Sequence, residues 1–174
     1  DTSDGDQNPL QAKPFDGYWR YRDYVIDATN RDIPWHQFLQ EQIAGDELVD
    51  WRNAERYTPE IIELLTATGF LRNVLDVTDS DITNLPAGRY EALFKLMERV
   101  SSSTLAMTLQ CARCHSHKFD PISQTDYYRL LSIFTPAYNP VNWLQPKRRH
   151  LFNVSRSEKT EIDRLSVAVR EAKQ

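Results

Sequence analysis

The sequence lacks several features that mark common classes of protein. It has no run of eighteen apolar residues, so no segment is predicted to span a membrane. It has no glycine-rich phosphate loop, no serine-nucleophile motif and no helical carboxylates paired with metal-binding histidines, so a stand-alone enzyme is not favoured. The formal net charge is only -4 and 40% of the residues are apolar, which argues against both a nucleic-acid-binding protein and a disordered chain.

Cysteine is scarce as well, and both cysteines fall in one stretch, Cys111-Ala112-Arg113-Cys114-His115. This is the Cys-x-x-Cys-His pattern of covalent c-type haem attachment. Two thiols add to the two vinyl groups on one edge of the porphyrin, and the adjacent imidazole reaches the iron as proximal ligand. With two cysteines and four histidines in the chain, this arrangement would be rare by chance. We predict that Cys111 and Cys114 form thioethers to one haem c, and that His115 ligates its iron.

Three other uses of the two cysteines stay open. A redox dithiol favours a strand before the first cysteine and a helix opening at it, whereas the preceding residues have a helical pattern. A structural zinc ion could use both cysteines with His115 or His117, but its remaining ligands would have to come from His36 or His150. A disulfide would close so short a loop that it would add little stability.

A longer pattern surrounds the motif and reads Cys-Ala-Arg-Cys-His-x-His-Lys-Phe-Asp-Pro-Ile-Ser-Gln-x-Asp-Tyr-Tyr. It resembles the signature of the planctomycete-type cytochrome c-like domain family. Other stretches also resemble blocks of that family, so the resemblance covers roughly residues 17 to 150; these stretches are 19–27, 41–48, 137–140 and 143–147. The resemblance implies a domain of a large exported protein of unsettled function, with haem attached outside the cytoplasm.

The spacing of apolar residues is helical along most of the chain. We predict an all-α fold: an irregular helical domain of about five to six helices with long loops, packed around one covalently bound haem. The chain 1–174 is interpreted as a single cytochrome c-like domain and as a fragment of a larger protein. The predicted helices span 17–30, 34–45, 58–69, 90–110, 123–134 and 155–174, with an extended arm or loop at 1–16 and an exposed loop at 72–88.

Two helix starts are marked by capping chemistry. Thr58 precedes Pro59, which combines a capping hydroxyl with a proline at a position where its missing N–H is not needed. Ser123 and Asp126 have the spacing of a capping box. Both helices are therefore predicted from local sequence as well as from periodicity.

Two further helices carry specific expectations. The 90–110 helix is predicted to run directly into Cys111, so that the cysteines lie at or just beyond its end. The C-terminal helix at 155–174 is amphipathic, and it is predicted to turn three apolar residues inward, namely Ile162, Leu165 and Val169.

The haem pocket is predicted from residues close to the motif: Met107, His117, Phe119, Tyr127 and Leu131. Met107 is expected at the haem edge rather than across the iron. His117 lies too close to His115 to reach the opposite face of the same haem, so it is expected to orient a neighbour or to cap the local turn. Tyr127 and Leu131 could wall the porphyrin, pack on the protein core, or do both.

The sixth iron ligand is not fixed by the sequence. The remaining imidazole and thioether donors are His36, His150, Met97 and Met107, and His150 is the named candidate. A five-coordinate iron and a ligand from a segment outside this sequence stay open beside it.

The predicted function is that of a c-type haem-binding module for electron transfer or redox sensing outside the cytoplasm. Its partner would be a redox protein or a neighbouring cytochrome domain, and no nucleic acid is expected. The alternative is a non-haem structural or binding domain of an exported protein, with the cysteines in a zinc site or disulfide. The polar, acidic residues 1–6 do not form a signal peptide. We therefore expect an export signal that was removed or lies outside this sequence, and a periplasmic or cell-envelope location.

Overall fold

The computed structural model describes residues 17, 19–74, 76–78, 80, 82–149, 151 and 153–172. Those residues form helices and no strand, which confirms the all-α prediction. The six α-helices of the described chain are α1 (Trp19–Asn30), α2 (Trp35–Ala44), α3 (Pro59–Ala67), α4 (Pro86–Leu105), α5 (Gln124–Phe134) and α6 (Arg156–Glu171). The predicted arm at 1–16, the candidate ligand His150 and residues 173–174 lie outside the described residues.

Short 3₁₀ segments add to this helical set within the described part of the chain. They span Gly45–Glu47, Thr68–Arg72, Gln110–Arg113 and Pro146–Arg148. None of the helices that the structure describes is both long enough and apolar enough to cross a bilayer.

The chain divides into two compact units. Of the described residues, the first unit holds those up to Arg22 and those from Gly69 to Arg149, and the second holds Asp23–Thr68 and those after Arg149. The cysteine motif and the helices on either side of it, α4 and α5, belong to the first unit. The single-domain interpretation stays a prediction.

The core of the first unit forms where α4 packs on α5. Leu93, Leu96 and Met97 of α4 have no exposed surface. On α5, Tyr127 and Phe134 are also buried, and their spacing of seven residues places them on one helical face. Burial of side chains of this size typically contributes about 1.5–3 kcal/mol each to folding, so these residues stabilise the unit.

A cluster of polar side chains in the same unit includes two residues of the 72–88 segment. Thr78 is completely buried, accepts a hydrogen bond from Nε1 of Trp143 at 2.7 Å and donates its own hydroxyl to Asp76 at 2.6 Å. Asp76 also forms an ion pair with Arg149 at 2.7 Å, with only 11% and 15% of the two side chains exposed. The prediction of an exposed loop at 72–88 is therefore wrong at Asp76 and Thr78, because Trp143 and Arg149 cover them. The last residues of that range also belong to α4, which begins at Pro86.

The second unit is built on α2, α3 and the 3₁₀ segment between them. The hydroxyl of Tyr24 donates to Glu41 at 2.8 Å, and this buried carboxylate also accepts from the Gln37 side chain at 2.8 Å. Gly45 lies where a Cβ atom would run into the backbone carbonyl of Leu64. A residue without a side chain is thus required for α2 and α3 to approach this closely.

The capping predictions are confirmed. The Thr58 hydroxyl accepts from the backbone N–H of Ile61, and Pro59 is the first residue of α3. Ser123 and Asp126 form a complete capping box at the start of α5. Local chemistry sufficed here because each cap bonds only to residues within three positions.

The prediction that the apolar residues of the C-terminal helix face inward is wrong. In α6, Ile162 is 37% exposed, Leu165 is 52% exposed and Val169 is 53% exposed. The start of this helix is held by the backbone N–H of Arg156, which donates to the Glu55 carbonyl at 2.9 Å. The amphipathic pattern is present, but the described residues do not cover it.

The α4 helix ends earlier than the sequence predicts, at Leu105 rather than at 110. Ala106 adopts a left-handed conformation with φ of 52°, and both its N–H and that of Met107 point back to the Ser101 carbonyl. This is a typical way to terminate a helix, but it usually needs glycine. The helix therefore does not run into Cys111, and residues 106–109 turn the chain before the motif begins.

The exposed left-handed alanine gives a prediction on stability. Ala106→Gly should raise the free energy of unfolding by about 0.5–1 kcal/mol, because glycine adopts a positive φ without the steric cost that Cβ imposes. Ala106→Val should lower it by about 1 kcal/mol or more at the same exposed site, since a β-branched residue is strained there. Urea denaturation of the three proteins measures both changes. Equal stability of the glycine and valine variants would contradict the assigned backbone conformation.

Candidate functional site

The cysteine motif is wound into a single tight turn. The 3₁₀ segment Gln110–Arg113 carries the first cysteine, and the N–H of Cys114 donates to the Cys111 carbonyl at 3.3 Å. The N–H of His115 reaches the same carbonyl at 3.4 Å. Both cysteines are free thiols with exposed side chains. A single turn of backbone thus presents both sulfurs and the adjacent imidazole at the surface.

The opposite side of this turn is buried. Ala112, between the two cysteines, has no exposed surface and packs with Leu109 and Tyr127. Partly buried apolar residues pack around this cluster, namely Phe94, Met107, Ile122 and Leu130. The turn is therefore amphipathic: the alanine anchors it to the core, and the thiols face outward.

Arg113 joins the turn to both neighbouring helices. Its carbonyl accepts from the Gln124 side chain at 3.2 Å and from the Tyr128 hydroxyl at 3.1 Å, both on α5. Its guanidinium lies 3.9 Å from the centre of the Phe94 ring and pairs with Glu91 at 3.1 Å, both on α4. The second variable position of the motif thus carries much of its attachment to the fold.

His115 is exposed, and its ring is oriented by a backbone group. Nδ1 lies 2.8 Å from the Ser116 carbonyl oxygen. A carbonyl can only accept, so this contact is a hydrogen bond when Nδ1 carries the proton. In the neutral ring, Nε2 then keeps a free lone pair. This is the arrangement in which a histidine binds a metal through Nε2 while a carbonyl fixes its tautomer.

His117 has a different role. Its side chain is only 8% exposed, and Nδ1 lies 3.0 Å from both the backbone nitrogen and Oδ2 of Asp120. The backbone N–H of His117 donates to the Ile122 carbonyl at 2.8 Å. His117 therefore caps the turn that follows the motif, which is one of the two roles predicted for it, and this turn leads into the Ser123 cap of α5.

The other predicted pocket residues separate into two groups. Met107 and Tyr127 pack under the motif turn, and Leu131 is buried further along α5. Burial raises the pKa of Tyr127 to about 12, so its phenol stays protonated at neutral pH. Phe119 is instead 84% exposed, with the Lys118 ammonium 5.3 Å from its ring centre. The interior residues support the turn from below, and Phe119 is the apolar side chain that lies open to solvent.

A metal site in this conformation receives no support from the described residues. No group of three or more histidine, cysteine, aspartate or glutamate side chains in that part of the chain is arranged to hold a metal ion. His115 and His117 point to different local partners, Ser116 and Asp120. The two histidines and two thiols do not converge on one point.

Comparison with known proteins identifies the family. A family model described as "PSCyt2: Protein of unknown function (DUF1549)" matches residues 2–139, which is well over half of the chain. The chain belongs to the PSCyt2 family. This planctomycete-type family has no known function, and the match includes the cysteine motif, the turn after it and α5. No curated protein and no solved structure matches the chain.

Sequence reasoning missed the two positions that fix the motif in this PSCyt2 chain. Ala112 and Arg113 belong to the pattern that resembles the family signature, but the sequence predicts no role for either; Ala112 is buried, and Arg113 contacts α4 and α5. A small apolar residue inside an otherwise polar motif was the available signal for Ala112. The Arg113 carbonyl contacts had no sequence signal, because any residue supplies a carbonyl.

The burial of Ala112 predicts a size limit inside the motif. Ala112→Leu should destabilise the protein by about 1–3 kcal/mol, since the added methyl groups have no free space between Leu109 and Tyr127. The matched control is Ala137→Leu at an exposed alanine, which should change stability by no more than about 0.5 kcal/mol. Thermal unfolding compares the two variants. If both substitutions had the same effect, the motif turn would not be packed as described.

The α5 cap predicts a contribution to acid sensitivity. Two hydrogen bonds lower the pKa of the Asp126 carboxyl below its usual value. The Ser123 hydroxyl donates the one with the larger effect, and the Ser123 backbone N–H donates the other. Because the folded pKa lies below the unfolded one, this contribution is complete above about pH 4–5 and is lost as pH falls through the folded pKa. Asp126→Asn should therefore flatten the pH dependence of stability in acid. Ser123→Ala should flatten it similarly, and an unchanged slope in both variants would contradict this assignment.

Proposed function

We propose that this PSCyt2 chain is a c-type haem-binding module that serves electron transfer or redox sensing outside the cytoplasm. The observation that carries the proposal is the form of the motif turn. Two free thiols are exposed three residues apart, and the Nδ1 contact of the adjacent His115 leaves Nε2 open. Covalent haem attachment needs these three groups together on one accessible surface.

Covalent attachment of haem would require three groups of the chain to react or bind. The Cys111 and Cys114 thiols would hold the haem by adding across one vinyl group each, with a carbon–sulfur bond formed and the thiol hydrogen passed to the other vinyl carbon. Neither addition would consume a further reactant. Nε2 of His115 would be the proximal ligand of the iron, with Nδ1–H held by the Ser116 carbonyl. Bound there, haem would supply one-electron redox chemistry.

The surroundings fit an attached haem in part. Both thiols and the proximal imidazole are present, the turn is anchored by Ala112 and Arg113, and Phe119 offers an exposed apolar ring close to the motif in sequence. Tyr127 and Leu131 already pack inside the protein, so their role as pocket walls stays a prediction. An attached haem would have an edge near solvent, which suits exchange of electrons with a redox partner protein or a neighbouring cytochrome domain.

The proposed location follows from the same chemistry and from the family resemblance. Haem is attached to Cys-x-x-Cys-His outside the cytoplasm in bacteria, and the motif resembles that of exported proteins. We therefore propose a periplasmic or cell-envelope location. His150 stays the named candidate for the sixth iron ligand.

The test is direct measurement of covalent haem. The whole chain, carrying an export signal, is produced in a bacterium with the enzymes for c-type maturation, purified, and extracted with acid and acetone to remove loose haem. We expect the reduced protein in alkaline pyridine to show a sharp c-type α-band, with about one haem per chain. His115→Ala should lower haem content by about tenfold or more, because proximal ligation is lost.

Matched variants separate attachment from general damage to the fold. Gln40→Ala replaces an exposed side chain of α2 in the second unit that has no role at the motif, and it should leave the haem content unchanged. Cys114→Ser should shift the pyridine spectrum towards that of a haem with one free vinyl group, and the double cysteine variant should hold none. A folded but colourless protein would overturn the proposal. A stoichiometric zinc ion lost in the cysteine variants would then favour the non-haem alternative.

A further inference from the structure

We propose that a pocket in the second unit binds a small organic anion that carries a flat apolar ring. The pocket lies between the 51–57 segment and the first two turns of α6, and its volume is about 330 Å³. Small-molecule sites commonly have about 300–1,000 Å³, so a ligand of one or two rings would fit. The proposed haem chemistry uses none of the residues that line this pocket.

The walls of the pocket are held by contacts between distant parts of the chain. The backbone N–H of Arg156 donates to the Glu55 carbonyl at 2.9 Å, and its Nη2 donates to the Arg52 carbonyl at 3.0 Å. Arg56 pairs with Glu158 at 3.4 Å. The 51–57 segment is thus fixed to the start of α6 without a ligand. A site formed in advance avoids part of the ordering cost of binding.

The lining offers surface for an apolar ring. Trp51 and Tyr57 contribute aromatic rings, and Ala54, Leu151 and Val154 contribute aliphatic surface. Aromatic side chains stack on flat ligands with little loss of side-chain freedom, since their rings have few rotatable bonds. An aliphatic or aromatic ring system therefore has complementary surface on the pocket walls.

Trp51 lines the pocket with its ring, and its indole N–H is a separate feature of this side chain. Its indole N–H is shielded from solvent and has no hydrogen-bond acceptor among the residues that the structure describes. Buried donors are nearly always satisfied in folded proteins, so an unsatisfied one calls for an explanation. Because this N–H has almost no accessible surface, it does not open into the pocket, and Trp51 offers a ligand its ring rather than a hydrogen bond.

The charge of the pocket selects an anion. Arg52, Arg156 and Lys159 line it, against Asp163 as the acidic group. The chain as a whole carries a net charge of -4, so this local excess of positive charge has the opposite sign to the rest of the protein. Asp163 does not neutralise Lys159 strongly, because their contact is 3.6 Å long and both side chains are at least half exposed.

Arg52 places one of these charges beside the aromatic wall. Its guanidinium carbon lies 4.5 Å from the centre of the Trp51 ring. This stacking orients a planar group of donors next to an apolar face. A carboxylate, sulfonate or phosphate joined directly to a ring would engage both surfaces at once, which is why we assign the ligand to the class of ring-bearing organic anions.

The test uses ¹H–¹⁵N NMR of the whole chain titrated with 2-naphthalenesulfonate and, separately, with neutral 2-naphthalenemethanol. The chain has four tryptophans, and Trp51→Phe identifies the indole signal of Trp51. We expect a saturable shift of that signal with the sulfonate. The alcohol should bind about tenfold more weakly, since it lacks the charge that the arginine and lysine groups recognise.

Variants distinguish the pocket from diffuse attraction to positive charge. Arg52→Gln and Lys159→Gln should each weaken sulfonate binding by about three- to tenfold. Arg164→Gln removes an exposed charge from the same helix outside the pocket and should leave binding unchanged. The proposal is overturned if the Trp51 signal shows no saturable shift, if the alcohol binds as tightly as the sulfonate, or if the Arg164 variant weakens binding as much as the other two.

Discussion

The burial of one small side chain organises the candidate site. Ala112 lies between the two cysteines and is enclosed by Leu109 and Tyr127, so the motif turn has one face in the core and one face in solvent. The same packing decides where the sulfurs and His115 point, because a 3₁₀ turn cannot bury all of its residues. Any chemistry at this motif therefore depends on a contact that involves none of the reactive groups.

The sequence predicted most helices because their signals are local. The caps at Thr58 and Ser123 bond within three residues, and the apolar spacing needs no knowledge of the rest of the fold. The end of α4 could not be predicted in this way, since Ala106 has no intrinsic preference for a left-handed conformation. The buried Thr78 was missed for a similar reason: its cover, Trp143, lies 65 residues away.

The candidate site also combines local features that the sequence predicts with long-range contacts that it does not. Cys111, Cys114 and His115 are recognisable from spacing alone, and the capping role of His117 followed from its closeness to the motif. The supporting contacts of Arg113 involve α4 and α5 through its side chain and its carbonyl, and only the folded chain reveals them. The proposed ligand pocket is still harder to predict from the sequence, because Arg52 and Arg156 are separated by 104 residues and form no recognisable motif.

The exposure of the two thiols leaves them open to reaction before the proposed attachment of haem. Solvent-accessible sulfurs three residues apart are open to oxidation, either to each other or to a second molecule. Oxidation would remove both nucleophiles that the proposed thioethers require. If the chain is exported and binds haem as proposed, it would therefore need a reductant when haem is attached. The redox state of the compartment, as much as the fold, would decide whether the protein matures.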